Sequence, residues 1–293
     1  PRGTFTITSN YIAGNSATGG DLTYGGVSGG VYLNMTHDSG STVNMRYNRI
    51  HNNNAQYHGS ALFLSHKSSS STYEYNTISG GSGLSLIYLT VPPCSPCVYG
   101  TPTVRNNNFI HDSETYLAYN ARTNENTFDW ENNWWGTTNT TTIDALIYDW
   151  NDNPTKETVD FTPFLTAPDT TAPPAPPSGI AAQTGPTSIN FSWSANSESD
   201  IAGYKLYYDT DTAGYPYASS VDLGNVTSYT LSSLTTGTPY YTALAAYDTL
   251  GDESWVSNDL AATPTSTPVT LAFSTVSCLF FESPKCSFAG TST

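Results

Sequence analysis

The feature that most constrains this chain is a short pattern that recurs five times in its first half. An asparagine is followed, two residues later, by an apolar residue. The recurring asparagines are Asn10, Asn48, Asn76, Asn107 and Asn133. The apolar residues that follow them are Ile12, Ile50, Ile78, Phe109 and Trp135. The steps between asparagines are 38, 28, 31 and 26 residues, and repeats of this length are typical of solenoids and related arrays.

The residues around each copy alternate apolar and polar side chains, which is the periodicity of a β-strand. After each of the first four copies comes a turn-rich stretch and then a second apolar run. These runs are GGVYL at 29–33, GSALFL at 59–64, GSGLSLIYL at 81–89 and TYLAY at 115–119. Two or more short strands per repeat, without helices, predict one coil of a parallel β-solenoid.

The recurring asparagine has a physical reason at a corner between strands. Asparagine tolerates left-handed backbone geometry better than most residues. Stacked in successive coils, its amide can donate to one neighbour and accept from the next, which satisfies polar groups inside an apolar stack. We therefore predict an asparagine ladder, with a second ladder built by the apolar residue two positions on.

The repeats are followed by NNWWGT at 132–137 and TIDALIYDWNDNPTKETVDFTPFL at 142–165. Together they resemble right-handed parallel β-helix domains of the pectin-lyase-like class, which are common in secreted bacterial surface proteins. The resemblance covers residues 1–165 and implies a β-helix with a C-terminal cap. Apolar spacing over 141–150 predicts a helix lying across the last coil, and 159–165 predicts a terminal strand.

Residues 166–177 are rich in proline and alanine, which predicts an extended linker with little freedom to fold back. The pattern then changes to alternating strands at 188–195, 203–209, 228–234 and 239–248. With Trp193 on an early strand and Tyr240 in the position of a tyrosine corner, residues 178–264 resemble a fibronectin type III module. The predicted class is therefore all-β: a right-handed parallel β-helix, a fibronectin type III β-sandwich and a short C-terminal β tail.

The last segment, 265–293, belongs to neither domain, and we predict a strand followed by a loop. Its apolar residues, expected to serve as an assembly tail, are Val269, Leu271, Phe273, Leu279, Phe280 and Phe281. The four cysteines form two close pairs, Cys94/Cys97 and Cys278/Cys286. Two structural disulfides are the simplest interpretation, although a C-x-x-C redox motif or a shared zinc site has the same spacing.

The charge balance excludes several kinds of partner. Nine Lys and Arg against 24 Asp and Glu give a formal charge of −15. Phosphate contacts need clustered cations, so nucleic acid is not an expected partner, and neither is an anionic membrane surface. No apolar run approaches the ~20 residues of a membrane-spanning helix, so no membrane insertion is expected. An acidic, lysine-poor surface is typical of exported proteins, so we expect a secreted or cell-surface location.

The β-helix resemblance raises a polysaccharide lyase or a glycoside hydrolase as an alternative. Lyases of that class use an acidic calcium cluster and a basic Arg or Lys, but no Asp cluster repeats beside Arg46, Arg49 or Arg105. A hydrolase needs two carboxylates facing one groove, for which the candidates are Asp112 with Glu114 and Asp129 with Glu131. The five histidines show no metal spacing. We expect no cofactor, and the alternative is a calcium ion in the acidic turns at 148–154 or 208–214.

We therefore expect a non-enzymatic extracellular structural or adhesive protein that assembles with itself, head to tail, through its termini into an oligomer or fibre. The alternatives are a carbohydrate-binding protein, for which 21 Tyr and 6 Trp could stack on sugars, and the enzyme above. Four sequons offer acceptors for glycosylation, at Asn34, Asn139, Asn190 and Asn225.

Overall fold

The structure is a computed structural model that describes residues 3–18, 28–34, 41–65, 71–90, 100–123 and 127–266. These residues form a parallel solenoid, a linker lying against it and an antiparallel sandwich. The predicted all-β class is confirmed, and the parallel sheets are consistent with the predicted β-helix. The C-terminal tail from residue 267 onward lies outside the described residues.

The elements of the solenoid are short, as expected where each coil turns several corners. In chain order they are β1 (Thr4–Thr8), β2 (Tyr11–Ala13), β3 (Ser16–Ala17), β4 (Val31–Asn34), β5 (Thr42–Arg46), β6 (Arg49–His51), β7 (Asn54–Ala55), β8 (His58–Ser65), β9 (Thr72–Glu74), β10 (Thr77–Ser79), β11 (Ser85–Thr90), β12 (Thr103–Arg105), β13 (Asn108–Ile110), β14 (Tyr116–Asn120), β15 (Thr127–Asp129), α1 (Thr140–Ala145), β16 (Ile147–Tyr148) and β17 (Thr158–Asp160).

Successive coils stack their strands in parallel and in register. The first sheet has the order β1-β5-β9-β12, the second β2-β6-β10-β13 and the third β4-β8-β11-β14-β16. Shorter parallel pairs join β3 to β7 and β15 to β17. Register places like residues above one another, as in Ile12, Ile50, Ile78 and Phe109.

The solenoid core is a column of apolar side chains that point inward from the three sheets. Met45, Ile50 and Phe128 have no exposed surface, and Trp130 and Trp135 close the column with at most 1% exposure. At about 1.5–3 kcal/mol for each large apolar side chain removed from water, this column is a main source of the solenoid's stability.

At each asparagine corner, the residue with left-handed backbone geometry is the one before the ladder asparagine. We had expected the ladder asparagine itself to adopt this geometry. Ser9, Tyr47, Tyr75, Asn106 and Asn132 have φ between 55° and 58°. The ladder asparagine is fixed by the hydrogen bonds of its amide, and its neighbour makes the turn.

The end of the solenoid departs in part from the predicted cap. The helix α1 is only six residues long and begins at the N-cap Asn139, whose side chain accepts a hydrogen bond from Thr142 N. The predicted helix over 141–150 is therefore too long. Ile147 forms β16 by pairing with Ala118, while Trp150 is 51% exposed.

The second unit is a sandwich of two antiparallel sheets. Its strands are β18 (Ser178–Thr184), β19 (Ile189–Ser194), β20 (Ile201–Asp209), β21 (Ser219–Gly224), β22 (Ser228–Leu231), β23 (Tyr240–Asp248) and β24 (Leu260–Ala262). Strands β18-β19-β22 face β21-β20-β23-β24. Trp193 and Tyr204 are buried between the sheets with ring centroids 5.4 Å apart. Thr235 N donates to the Tyr240 hydroxyl at 3.1 Å, the hydrogen bond of a tyrosine corner.

The linker between the units is extended, and it packs along the solenoid. Asp169 N donates to Asn108 Oδ1 at 2.7 Å, and Asn106 Nδ2 donates to Asp169 Oδ2 at 3.0 Å. Thr77 donates to Pro173 O, and Ala172 is buried. Because proline fixes φ before docking, little further backbone entropy is lost when this segment settles on the sheet.

Candidate functional site: an aromatic cleft between the domains

A cleft of about 460 Å³ lies where the first coils of the solenoid meet the sandwich; we refer to it as the junction cleft. The solenoid contributes Tyr11 from β2 and Arg49 from β6, which are partners in register. The sandwich contributes Tyr207 from β20, Tyr215 from the following loop and the segment 253–256. A volume of this size is within the range of about 300–1,000 Å³ found for small-ligand sites.

The charged groups around the junction cleft are each held by a protein contact, and Lys205 and Glu253 form an ion pair. Glu253 Oε2 lies 2.6 Å from Lys205 Nζ, and its Oε1 accepts a hydrogen bond from the Tyr207 hydroxyl. The Arg49 guanidinium donates to the backbone carbonyl of Glu253. The Tyr217 hydroxyl donates to Asp259. Two cations and two carboxylates therefore balance locally.

The tyrosine hydroxyls of the cleft stay protonated at neutral pH. Burial first, and the carboxylate acceptor Glu253 second, raise the pKa of Tyr207 well above its usual value. Burial and then Asp259 do the same for the pKa of Tyr217. Burial, with Tyr215 nearby, also raises the pKa of Tyr11. The cleft thus offers neutral hydroxyls and aromatic rings to a ligand.

A stack of three rings joins the two domains beside the cleft. His51 lies flat on Trp255 with centroids 4.4 Å apart and planes at 5°. Its Nε2 is 2.8 Å from the Tyr11 hydroxyl, and the Tyr11 ring lies 5.1 Å away at a tilt of 58°. Burial lowers the pKa of His51 to about 4, so the imidazole is neutral at pH 7.

Two of the cleft tyrosines are exposed despite their size. Tyr11 is 46% exposed and Tyr215 is 68% exposed. Exposed large aromatic side chains that converge on one concave surface are a common mark of a binding site.

A second aromatic surface runs along the outer face of the third sheet; we call it the outer ladder. Its members come one from each coil and are Tyr32, Phe63, Tyr88, Tyr119 and Tyr148. Their chain neighbours, such as Leu62 and Leu64, point into the core, so the pleat of each strand turns these rings outward.

The rings of the outer ladder stack on one another. Successive centroid distances are 4.5, 5.4, 5.7 and 4.2 Å. His58 packs against Tyr88 and Tyr119 at 4.5 and 4.3 Å, and burial there lowers its pKa to about 4. Because the faces are covered by neighbouring rings, this ladder presents ring edges and hydroxyls to solvent. It stabilises the stack of coils and leaves few ring faces for a ligand.

The five predicted asparagines form a continuous ladder through the solenoid. Asn10, Asn48, Asn76 and Asn107 each donate from Nδ2 to the Oδ1 of the asparagine in the next coil, at 2.8–3.0 Å. The last acceptor is Asn133. The same Oδ1 atoms also accept from the backbone N of the preceding asparagine. Four of the five are fully buried, and Asn10 in the first coil is exposed.

The apolar ladder lies beside it. Ile50, Ile78, Phe109 and Trp135 are at most 1% exposed, while Ile12 is half-buried at the open end. The Phe109 and Trp135 rings are 5.0 Å apart. Trp134 forms a parallel backbone bridge with Asn108 and is half-buried, so Trp135 and not Trp134 lies in the core column.

The buried acids of the solenoid are held in structural contacts. Glu74 is 3% exposed and lies between Arg46 and Arg105, with its oxygens 2.5 and 2.8 Å from the two guanidinium groups. Arg122 and Glu157 form a fully buried ion pair at 3.0 Å.

The two predicted carboxylate pairs lie in different surroundings. Glu114 is buried, where desolvation raises its pKa, while Asp112 is exposed. Asp129 is exposed, and its Oδ1 accepts a hydrogen bond from the backbone of Glu131.

The described residues hold no group of three or more His, Cys, Asp or Glu side chains placed for a metal ion. In the acidic turn at 148–154, Asp149 accepts hydrogen bonds from the backbone N of Asn151 within the turn and from that of Val159 in β17. The residues Cys94, Cys97, Cys278 and Cys286 lie outside the described residues, and so do the tail residues Val269, Leu271, Phe273, Leu279, Phe280 and Phe281.

Three sequons have described side chains. Asn139 caps α1, Asn190 points outward and accepts from Thr230 Oγ1 at 2.7 Å, and Asn225 donates to Ile201 O at 3.0 Å. All three are exposed. Asn34 ends β4.

Sequence reasoning missed a second asparagine pair and the domain contact. Asn15 donates to Asn53 Oδ1 at 3.0 Å, one corner further along the coil. Its spacing of 38 residues equals that of Asn10 and Asn48, so the same alignment contained the signal. The junction cleft had no such signal, because its residues come from distant parts of the chain.

Among the described residues, no helix is long and apolar enough to cross a membrane.

The sequence has partial relatives among known proteins. A Kelch domain-containing protein of Saccharolobus solfataricus is 35% identical over 96 residues, which are 33% of this chain and 12% of that protein. A Kelch domain-containing protein of Sulfurisphaera tokodaii is 31% identical over 96 residues, 33% of this chain and 13% of that protein. The chain thus spans about an eighth of the length of these curated relatives.

Among solved structures, the FN1–FN3 domains of chicken CNTN1 are 21% identical, with a TM-score of 0.30, covering 32% of this chain and 33% of that one. The resemblance of residues 1–165 to the pectin-lyase-like class stays a prediction. Residues 175–259 match the family model of the fibronectin type III domain. The resemblance noted for the second half of the chain is thereby confirmed, and these residues are a fibronectin type III domain.

Proposed function

We propose that this chain is a non-enzymatic structural or adhesive protein that acts outside the cell and associates with copies of itself through the first coil. The observation that most supports this proposal is that apolar core positions of the first coil are exposed. Phe5 lies in register with the buried core residue Val43, yet it is 52% exposed. Ile7 and Ile12 occupy core positions and are only half-buried.

In the described part of the chain, the same surface carries strand edges that pair with no further strand. Among the described residues, β1, β2 and β4 are each the outermost strand of a sheet. An open edge with apolar residues beside it is a template for strand addition from another chain. The proposed occupant is the C-terminal tail of a second copy, whose alternating Val269, Leu271 and Phe273 suit a strand. Head-to-tail contacts of this kind do not close and produce fibres.

Further support comes from charge and from the buried acids. The formal charge of −15 with only nine Lys and Arg favours a protein that stays soluble outside the cell. Glu74 and Glu157 are engaged by arginines, which favours a structural role for these groups over a catalytic one.

Sedimentation velocity over a range of concentrations tests this proposal. The wild-type chain is expected to form species larger than a monomer. Phe5→Lys, which puts a charge on the open core, and deletion of 267–293 are each expected to give monomers. Ser220→Lys makes the same charge change on the exposed edge strand β21 and is expected to associate like the wild type.

A wild-type chain that stays monomeric at every concentration would contradict self-association. Association that persists in the deletion variant would contradict the tail as the occupant.

A further inference from the structure

We propose that the junction cleft binds the neutral pyranose rings of a glycan, with Tyr11 and Tyr215 as the stacking residues. This inference does not depend on self-association. It rests on the convergence of two exposed aromatic residues, contributed by different domains, on one cleft of about 460 Å³.

The rings of the cleft differ from those of the outer ladder in what they expose. Ladder rings cover one another's faces, with planes as close to parallel as 9° and 17°. In the part of the chain that the structure describes, no aromatic ring stacks on Tyr215, which is 68% exposed. The Tyr11 ring meets His51 only at a 58° tilt. Open ring faces carry negative charge density, which attracts the polarised C–H groups on the face of a sugar ring.

The polar groups of the cleft suit the hydroxyls of such a ring. Hydroxyls need both donors and acceptors, and the cleft has the Arg49 guanidinium, the Tyr207 hydroxyl and the Glu253 carboxylate. Specificity in ligand sites generally comes from a few such groups among apolar walls.

The charge of the cleft favours a neutral sugar over a charged one. The cations Lys205 and Arg49 equal the carboxylates Glu253 and Asp259 in number, so these groups carry no net formal charge, and Lys205 forms an ion pair with Glu253. A uronate or sulfated sugar would meet the Glu253 carboxylate beside Arg49 in the lining of the cleft. It would also approach a chain with a formal charge of −15.

The contacts beside the cleft hold it open in one shape. The Trp255–His51 stack and the Arg49–Glu253 hydrogen bond fix the sandwich against β6, and Asp169 fixes the linker to Asn106 and Asn108. A site formed in advance loses less entropy on binding than one that must be assembled.

Isothermal titration of dilute protein with tetrasaccharides of glucose, mannose, galactose and N-acetylglucosamine tests the proposal, with tetragalacturonate as the charged comparison. At least one neutral tetrasaccharide is expected to bind, and tetragalacturonate is not. Tyr215→Ala is expected to weaken binding at least tenfold, while Tyr215→Phe, which keeps the ring face, stays within a few fold of the wild type.

The matched control is Tyr32→Ala. Tyr32 is 51% exposed and lies on the outer ladder, so its loss is expected to leave binding unchanged. Circular dichroism checks that each variant is folded. The proposal is overturned if no neutral tetrasaccharide binds at millimolar concentration, if only tetragalacturonate binds, or if Tyr32→Ala abolishes binding while Tyr215→Ala does not. The titration uses dilute protein because Tyr11 lies on β2, an outermost strand that a second copy would cover.

Discussion

Replacing Asn76 by alanine tests the asparagine ladder at its centre. The Asn76 amide donates to Met45 O, Glu74 O and Asn107 Oδ1 at 3.0, 3.1 and 2.9 Å. Its Oδ1 accepts from Asn48 N and Nδ2 at 3.0 and 2.8 Å. The substitution removes all five contacts from a residue with no exposed surface.

The expected loss of stability on Asn76→Ala follows from the polar groups that lose their hydrogen-bond partner. Each hydrogen bond contributes a net of about 0.5–1.5 kcal/mol, and each buried group left without a partner costs about 1–3 kcal/mol. Allowing for water entering the space, we expect the free energy of unfolding of the solenoid to fall by about 3–6 kcal/mol. That is a large part of the ~5–15 kcal/mol typical of a domain.

Asn10→Ala is the matched control, because it makes the same change at the exposed end of the same ladder. Asn10 donates to Thr8 O and to Asn48 Oδ1, and water can replace it. We expect a loss below about 1 kcal/mol. Urea denaturation gives the total change, and hydrogen exchange of peptides from residues 71–90 assigns it to the solenoid. Equal losses at the two positions would refute the argument that burial gives the ladder its energetic weight.

Two other predictions concern the buried ion pair and pH. Arg122→Met should lower the free energy of unfolding by about 3–5 kcal/mol, because it leaves the Glu157 carboxylate buried without its cation. Adding Glu157→Leu should restore most of that loss. Chemical denaturation of both variants measures these changes, and no recovery in the double variant would contradict the prediction. Because the folded pKa of His51 is about 4, below its usual 6.5, the folded state binds fewer protons. The domain contact should therefore be at full strength above about pH 6.5 and weaken as the pH falls through 4. Small-angle scattering should report this loosening, and His51→Phe should remove the pH dependence while keeping the stack on Trp255.

The ladder could be predicted from sequence because stacking requires the same residue type at the same place in every coil. Asn48 and Asn76 therefore leave a regular trace in the sequence. The outer ladder leaves one as well, since the second apolar runs of the first three coils carry an aromatic residue between aliphatic ones, as Phe63 lies between Leu62 and Leu64. Because both faces of these runs are apolar, the sequence alone does not mark the rings as an outward row.

The docking of linker and sandwich could not be predicted in the same way. Asp169 contacts Asn106 across 63 residues, and Arg49 contacts Glu253 across 204 residues. No periodicity links such pairs, and a proline-rich segment reads as a spacer whether or not it packs on a neighbour. The length of α1 was also overestimated, because Ile143 and Ile147 have helical spacing although Ile147 pairs with β14 as a strand.

Hydrogen exchange of β1, β2 and β4 at low and high protein concentration tests the proposed self-association most directly. These strands are the outermost of their sheets among the described residues, so their amides should exchange rapidly in dilute solution. If a second copy covers the first coil, protection of these three strands should rise with concentration, while that of the inner strands β8 and β11 stays constant. Protection of β1, β2 and β4 that does not change with concentration would contradict the account.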